Sequence, residues 1–247
     1  MRILIISDGH GAKDLLDRLG PVMKDADVVL FGGDFAQVGK PETGKPFLER
    51  LAHAHDRVFA VTGNADDPFF KDSLDEYDIS IEGSLSYYCG LVLSGSGGGS
   101  KFDGTTPNER TDEELVSDLH LVAECAGDEN PDEENPVEKN PCEKSPSSSA
   151  LWNNLILVIH NPPKDTKLDV ITNGAHVGSP LIRAFIEKYK PLLVVSGHIH
   201  ESAAIDKIGG TTLINPGALL QGKYAIAEIS GGGKKPFTID SITLESL

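Results

Sequence analysis

Short apolar runs alternate with longer stretches of helical spacing in the first quarter of the chain. Residues 3–7, 28–31 and 58–62 are rich in apolar and β-branched side chains, which predicts buried strands. Residues 15–23 and 47–54 carry apolar side chains at helical spacing, which predicts a helix after each of the first two strands. This β-α-β-α-β order predicts a mostly parallel sheet with helices packed over it.

Similar patterns continue in the second half of the chain. Residues 85–93 alternate and predict further strands, while residues 181–189 predict one clear late helix. The remaining predicted strands are residues 155–160, 192–196, 211–215 and 224–229. Because 247 residues is an ordinary size for one α/β domain, residues 1–247 are interpreted as a single domain.

Residues 126–149 interrupt this pattern. They contain three Asn-Pro dipeptides, several acidic residues and a serine run, with almost nothing apolar to bury. This composition predicts a flexible acidic insertion at the surface; the alternative is a lid or an arm that binds a partner. The run GSGGGS at residues 95–100 follows a predicted strand, and we interpret it as a tight loop at the rim of a site.

Composition places the chain among ordinary globular proteins, with 39% hydrophobic and 24% charged residues. No apolar run approaches the roughly 20 residues that cross a bilayer. The apolar run at residues 3–6 is too short for the core of a signal peptide, so we expect a cytoplasmic protein with no membrane partner. Three cysteines without regular spacing predict no disulfide framework.

The net charge of −16 changes the choice of partner. Binding to nucleic acid needs clustered lysine and arginine, and the sequence contains no such cluster, so no nucleic acid is expected. An anionic phosphate substrate would also be repelled unless cations at the site reverse the local field. An acidic protein that acts on phosphate esters therefore needs metal.

Polar side chains directly follow five of the predicted strands, where parallel strands bring ligand-binding groups together. These residues are Asp8, His10, Asp34, Asn64, His160, His198 and His200. Four imidazoles, two carboxylates and one amide suit Mn²⁺, Fe²⁺ or Zn²⁺ better than Ca²⁺, which prefers oxygen ligands. Seven ligands are too many for one ion, and they suit two divalent ions that share a carboxylate.

The order of these motifs resembles the calcineurin-like metallophosphoesterase superfamily. The matching residues are Asp8-X-His10, Gly33-Asp34, Gly63-Asn64, His160 and Gly197-His198-X-His200. The resemblance implies a four-layer α/β/β/α sandwich with two central mixed sheets. It also implies one ion held by Asp8, His10, Asp34 and His200, and a second ion held by Asp34, Asn64, His160 and His198. Asp34 would bridge the two ions, and a hydroxide between them would attack the phosphorus.

Two further features refine this resemblance. Residues 174–179 (GAHVGS) resemble a branch of small bacterial and archaeal phosphoesterases, which makes His176 a candidate for touching substrate; the alternative is a loop histidine that packs locally. Many superfamily members have a histidine directly after the asparagine to protonate the leaving group, whereas this chain has Ala65. Such a proton donor contributes roughly 10²–10⁴-fold. Asp66 could replace it, although a structural role is favoured.

These features together predict a hydrolase for a small phosphate ester, with a diester favoured over a monoester. The predicted catalytic residues are Asp34, Asn64, His160 and His176. One alternative is a phosphomonoesterase of the same fold. Another is a protein-interaction module on this scaffold, which the complete set of ligand positions disfavours.

Overall fold

A computed structural model describes residues 1–126 and 152–247, so residues 127–149 of the predicted insertion lie outside the described residues. Thirteen strands occur in the described residues: β1 (Arg2–Ile6), β2 (Val28–Phe31), β3 (Val58–Ala60), β4 (Ser86–Tyr88), β5 (Leu91–Ser96), β6 (Gly99–Ser100), β7 (Glu109–Arg110), β8 (Leu155–Ile159), β9 (Leu193–Val195), β10 (Ala204–Ile208), β11 (Thr211–Asn215), β12 (Lys223–Gly232) and β13 (Lys235–Ser246). The α-helices there are α1 (Lys13–Arg18), α2 (Gly20–Lys24), α3 (Gly44–Ala54), α4 (Phe70–Glu76), α5 (Asp112–Ser117), α6 (His120–Cys125) and α7 (Pro180–Tyr189).

Two large mixed sheets form the centre of the protein. The first has the order β13-β12-β1-β2-β3, in which β1, β2 and β3 are parallel and the hairpin β12–β13 adds antiparallel strands. The second has the order β10-β11-β9-β8-β5-β4, with four parallel strands in the middle and an antiparallel strand at each edge. The parallel core of each sheet places several strand ends at one edge.

Successive side chains along a strand point to opposite faces of its sheet and so pack against different layers. In β1, Ile3 and Ile5 face the second sheet and pack with its Ile156 and Val158. Leu4 of the same strand faces the helices that cover the first sheet. Further apolar side chains of the second sheet pack against α5, α6 and α7 on its other face. The protein is therefore a four-layer α/β/β/α sandwich, as the resemblance implied.

One helix prediction needs correction. The helix predicted at residues 15–23 is two helices, because Pro21 lies in the first turn of a new helix that begins at Gly20. The further strands predicted at residues 85–93 are confirmed as two antiparallel strands, joined by a turn in which Cys89 and Gly90 have positive φ values of 49° and 87°.

Helix α4 was not predicted, and neither were α5 and α6. The stretch of α5 and α6 is polar, yet Leu115, Leu119 and Val122 recur at helical spacing and are fully buried against the second sheet. No helix among residues 1–126 and 152–247 is long and apolar enough to cross a lipid bilayer.

The run at residues 95–100 is not simply a loop. Its first residues end β5 and its last residues form β6. A Cβ atom on Gly95 would overlap the carbonyl oxygen of Val158 on the neighbouring strand, so glycine is required there. Gly99 lies against Asn64 and His198, which places this run beside the predicted site.

Candidate metal centre

All seven predicted ligand residues lie just beyond the ends of strands β1, β2, β3, β8 and β9. Five of them are buried, and His198 and His200 are half-buried. Both sheets contribute, because Asp8, His10, Asp34 and Asn64 follow strands of the first sheet and the remaining three follow strands of the second. The site therefore lies where the two sheets meet.

One group consists of Asp8, His10, Asp34 and His200, each of which places a ligand atom within 4.8 Å of the others. The Nε2 atoms of His10 and His200 are 3.2 Å apart. His200 Nε2 is also 3.2 Å from Asp8 Oδ1, and His10 Nε2 is 3.5 Å from Asp34 Oδ2. These four side chains could hold one metal ion between them.

A second group adjoins the first through Asp34. Asp34 Oδ2 is 3.6 Å from His160 Nε2, which is in turn 2.8 Å from Asn64 Oδ1. The ring of His198 lies beside that of His160, with centroids 5.2 Å apart. The same Asp34 oxygen therefore faces a histidine of each group, which is the position that a bridging carboxylate requires.

The tautomers of two histidines suit metal binding. His10 Nδ1 donates to the carbonyl of Ala36 at 3.0 Å, and His160 Nδ1 donates to the carbonyl of Gly32 at 2.6 Å. In neutral imidazoles this leaves the Nε2 lone pairs directed at the site. Asp8 Oδ2 is buried and has no hydrogen-bond partner among the described residues. This convergence of lone pairs on buried oxygen and nitrogen fits a divalent cation.

Burial and the neighbouring charges change the pKa values of these groups. Burial raises the pKa of Asp34 to about 6, and the charge of Asp8 adds to that shift. Burial also opposes ionisation of Asp8, but the hydrogen bond from His200 and the surrounding histidines lower its pKa overall. Burial lowers the pKa of His198 to about 4 and also lowers that of His160. Both imidazoles are therefore neutral at pH 7, which is the form that binds metal.

The backbone is strained at the ligand positions themselves. Positive φ values occur at Asp8 (55°), His10 (45°), Asp34 (62°) and His198 (69°). Each such residue costs on the order of 1–3 kcal/mol and persists only where its surroundings enforce it. A Cβ atom on Gly63 would overlap Asp34 Oδ1, so only glycine fits there. The side chains of the ligand residues are therefore brought together by strained backbone conformations.

Asp66 supports the two loops that carry the ligand residues Asp34 and Asn64. It is fully buried, and its carboxylate accepts hydrogen bonds from the N–H groups of Phe35, Ala36 and Gly63 at 3.1, 2.8 and 2.8 Å. Burial, followed by the charge of Asp34, raises its pKa to about 7. Its oxygens face the backbone, which gives Asp66 the structural role that the sequence favoured.

Asn215 supports the loop of the second sheet. Its Nδ2 donates to the carbonyl of Ile199 at 2.9 Å, between His198 and His200. Its Oδ1 accepts from the N–H of Gly217 at 2.8 Å. The Asn-Pro-Gly sequence of residues 215–217 is typical of a turn, but it does not indicate this contact with the histidine loop.

His176 lies outside both groups. Its Nδ1 is 2.7 Å from Oδ1 of the fully buried Asp169, which also accepts the N–H groups of Thr166 and Gly178. Sequence reasoning missed Asp169, because an aspartate seven positions before a histidine is not a recognisable motif. The neighbouring Val177 lines a cavity that also includes Asn64 and His198.

Solved structures share this fold at low sequence identity. TT1561 of Thermus thermophilus has a TM-score of 0.63 and 17% identity over 91% of this chain and 92% of that chain. A putative 5'-nucleotidase from Staphylococcus aureus, crystallised with alpha-ketoglutarate, has a TM-score of 0.60 and 13% identity. That match covers 99% of this chain and 54% of the nucleotidase.

Comparison of sequences identifies the family more specifically than the shared fold does. The uncharacterized protein MJ1162 of Methanocaldococcus jannaschii is 32% identical over 226 residues, which are 87% of this chain and 88% of that protein. The profile of the calcineurin-like phosphoesterase family matches residues 1–202, which include all seven predicted ligands. This chain therefore belongs to the calcineurin-like phosphoesterase family, whose members act as hydrolases of phosphoesters.

Proposed function

We propose that this protein hydrolyses a small phosphate ester, a diester in preference to a monoester, with the help of two divalent metal ions. The observation that carries the proposal is the position of the Asp34 carboxylate. Its Oδ2 atom is 3.5 Å from His10 Nε2 and 3.6 Å from His160 Nε2, between two groups of metal-binding side chains. The preference for a diester rests on Ala65, which offers no proton donor, and on the resemblance of residues 174–179 to small phosphoesterases.

The first ion is assigned to Asp8, His10, Asp34 and His200. The second is assigned to Asp34, Asn64, His160 and His198, and the imidazole-rich donor set favours manganese, iron or zinc. When bound, such ions would lower the pKa of a coordinated water and would neutralise charge on the phosphate. No covalent phosphoenzyme is expected.

Backbone groups of the chain orient the ligand side chains. The carbonyls of Gly32 and Ala36 fix the rings of His160 and His10, and the N–H of Ala65 binds Asp34 Oδ1 at 2.8 Å. These contacts hold the ligand side chains in position before an ester binds. Preorganised groups of this kind cost no reorganisation during the reaction.

We assign to His176 the role of the acid that donates a proton to the leaving group. Its Nδ1 is engaged by Asp169, so its Nε2 is the nitrogen available to a bound ester. The ring is partly exposed, with 38% of the side chain accessible. Ile171 and Val177 of the same loop line the cavity that reaches Asn64 and His198, and Asp169 acts as a positioning residue.

Replacing His176 with glutamine is expected to slow hydrolysis of a diester with an alkyl leaving group by about 10²-fold, because such a group must be protonated as it departs. A 4-nitrophenyl leaving group departs as a stable anion, so its rate is expected to fall much less. Steady-state rates for both esters test this. The control is His120→Gln, since His120 is also exposed and also bonds through Nδ1, to the carbonyl of Ser117. Equal losses on both esters would exclude proton donation.

The overall proposal is tested by manganese-dependent hydrolysis of bis(4-nitrophenyl) phosphate and 4-nitrophenyl phosphate, with metal content measured in parallel. We expect both rates to need metal and the diester to react faster. Faster monoester turnover would keep the hydrolase and identify a phosphomonoesterase. Absence of both activities in protein that carries its metals would favour an interaction module instead.

A further inference from the structure

A cavity of about 290 Å³ opens beside the second ligand group. Its lining includes Asn64 and His198, residues Lys101, Phe102 and Thr106 of the loop after β6, and the aliphatic residues Ile171, Val177 and Ile199. An organic group of an ester whose phosphate contacts the second ligand group can therefore enter this cavity.

The most exposed large apolar side chain of the described residues lies at this cavity. Phe102 lines it and is 89% exposed. The lining also has an aliphatic part, since Ile171, Val177 and Ile199 contribute aliphatic side chains. A cavity lined by an exposed aromatic ring and aliphatic side chains favours a flat apolar group.

The loop that carries Phe102 is held in place. The carboxylate of Glu109 accepts the N–H groups of Phe102 at 2.8 Å, Gly104 at 3.0 Å and Thr106 at 3.3 Å. These hydrogen bonds, that of Phe102 first, lower the pKa of Glu109 to about 2. Phe102 is thus exposed on an ordered loop, which reduces the entropy lost when a ligand packs against it.

We propose that this cavity binds a planar aromatic group of the phosphate ester, either the ring of an aryl ester or the base of a nucleoside ester, by stacking against Phe102. The inference rests on the proposed function and adds the class of organic group. A ring that stacks on Phe102 and contacts the aliphatic side chains of the lining buries more apolar surface than a methyl or other small alkyl group. The polar residues Lys101, Asp103 and Thr106 at the edge provide hydrogen bonds for ring substituents.

The experiment measures binding to manganese-loaded protein by calorimetry, so that it does not depend on turnover. Phenylphosphonate and methylphosphonate share the metal-binding phosphonate and differ only in the organic group. A second pair, adenosine 5'-monophosphate and ribose 5-phosphate, differs only in the base. We expect the aromatic member of at least one pair to bind about tenfold more tightly, because one ring stacks on Phe102. The pair that shows this preference tells whether the aromatic group is an aryl ring or a nucleoside base.

Two variants test whether Phe102 is the residue that causes the tighter binding of the aromatic ligand. Phe102→Ala is expected to reduce the tenfold preference to less than twofold while methylphosphonate or ribose 5-phosphate binds as before. Phe69→Ala is the matched control, because Phe69 is also exposed, at 79%, and does not line the cavity. It should leave the preference unchanged.

The outcomes separate this inference from the proposed function. Equal affinity for aromatic and non-aromatic ligands in a protein that hydrolyses diesters would overturn the aromatic cavity and leave the hydrolase standing. A preference that survives Phe102→Ala would overturn the assigned stacking residue. Aromatic preference in a metal-loaded protein without hydrolytic activity would support the cavity and count against the proposed function.

Discussion

Replacing Asp34 with asparagine is expected to lower metal-dependent ester hydrolysis by about 10³-fold or more. Asp34 Oδ2 faces both ligand groups, so under the proposed assignment the substitution removes one negative ligand from each ion at once. Stabilisation of charge by bound metal is worth several kcal/mol, and each 1.4 kcal/mol changes a rate about tenfold. No other single substitution at this site would affect both groups equally.

The fold is expected to survive this change. Asparagine has the same shape as aspartate, and its carbonyl oxygen can still accept the N–H of Ala65. Burial and the charge of Asp8 raise the pKa of Asp34 to about 6, so in metal-free protein at pH 8 the ionised carboxylate is unfavourable and neutral asparagine removes that cost. The unfolding midpoint of the metal-free variant should therefore equal or exceed that of the wild type.

Three measurements check the Asp34→Asn result: the hydrolysis rate, the metal content and the midpoint of thermal unfolding. Asp72→Asn is the matched control, because Asp72 is an exposed aspartate on α4. A rate close to that of the wild type in Asp34→Asn would refute the two-metal assignment. A lowered unfolding midpoint without metal would show instead that Asp34 acts through the fold.

The sequence predicts a parallel sheet and the meeting of ligand residues at its edge for a simple physical reason. Strands such as β1 and β8 are continuous apolar runs, and a polar residue directly after such a run lies at the end of a buried strand. Parallel neighbours place their ends at the same edge, so His160 after β8 and His198 after β9 have their ring centroids 5.2 Å apart. Periodicity is sufficient for this step within one sheet, whereas the packing of the two sheets was implied by the family resemblance.

Other features depend on contacts that periodicity does not encode. The left-handed backbone at Asp8 and His198 is imposed by the surrounding loops, since nothing in these residue types requires it. The pairing of Asp169 with His176 depends on a loop conformation, and the rigidity of the Phe102 loop depends on Glu109. These are long-range or irregular interactions, which is why the sequence indicated the ligands but not the groups that position them.

The positioning groups also show how the ligand loops are coupled. The carbonyl of Ala36 accepts from His10, and the N–H of the same residue donates to Asp66. Asp66 in turn binds the N–H of Gly63, the residue before Asn64. One buried carboxylate thus connects the loops after β1, β2 and β3, so a change at Asp66 should affect stability and metal binding together.

Replacing Asp66 with alanine is therefore expected to destabilise the protein by about 3–5 kcal/mol. Three buried N–H groups would lose their acceptor, and an unsatisfied buried group costs about 1–3 kcal/mol. Part of the loss is offset, because the carboxylate itself is costly to bury, as its raised pKa of about 7 shows. Retention of metal should fall as well, since two of the three donors adjoin Asp34 and Asn64 along the chain.

Urea unfolding of Asp66→Ala, with metal content measured on the same samples, checks this expectation. The neighbouring Asp67→Ala is the matched control, because Asp67 is exposed and accepts one N–H, that of Phe69 at 2.9 Å. A single exposed hydrogen bond of this kind contributes about 1 kcal/mol or less. If Asp66→Ala lost no more stability than Asp67→Ala but lost activity selectively on esters with poor leaving groups, Asp66 would be the proton donor, and its structural role would be refuted. Combined loss of stability and metal would instead establish that the three ligand loops are held by a single buried side chain.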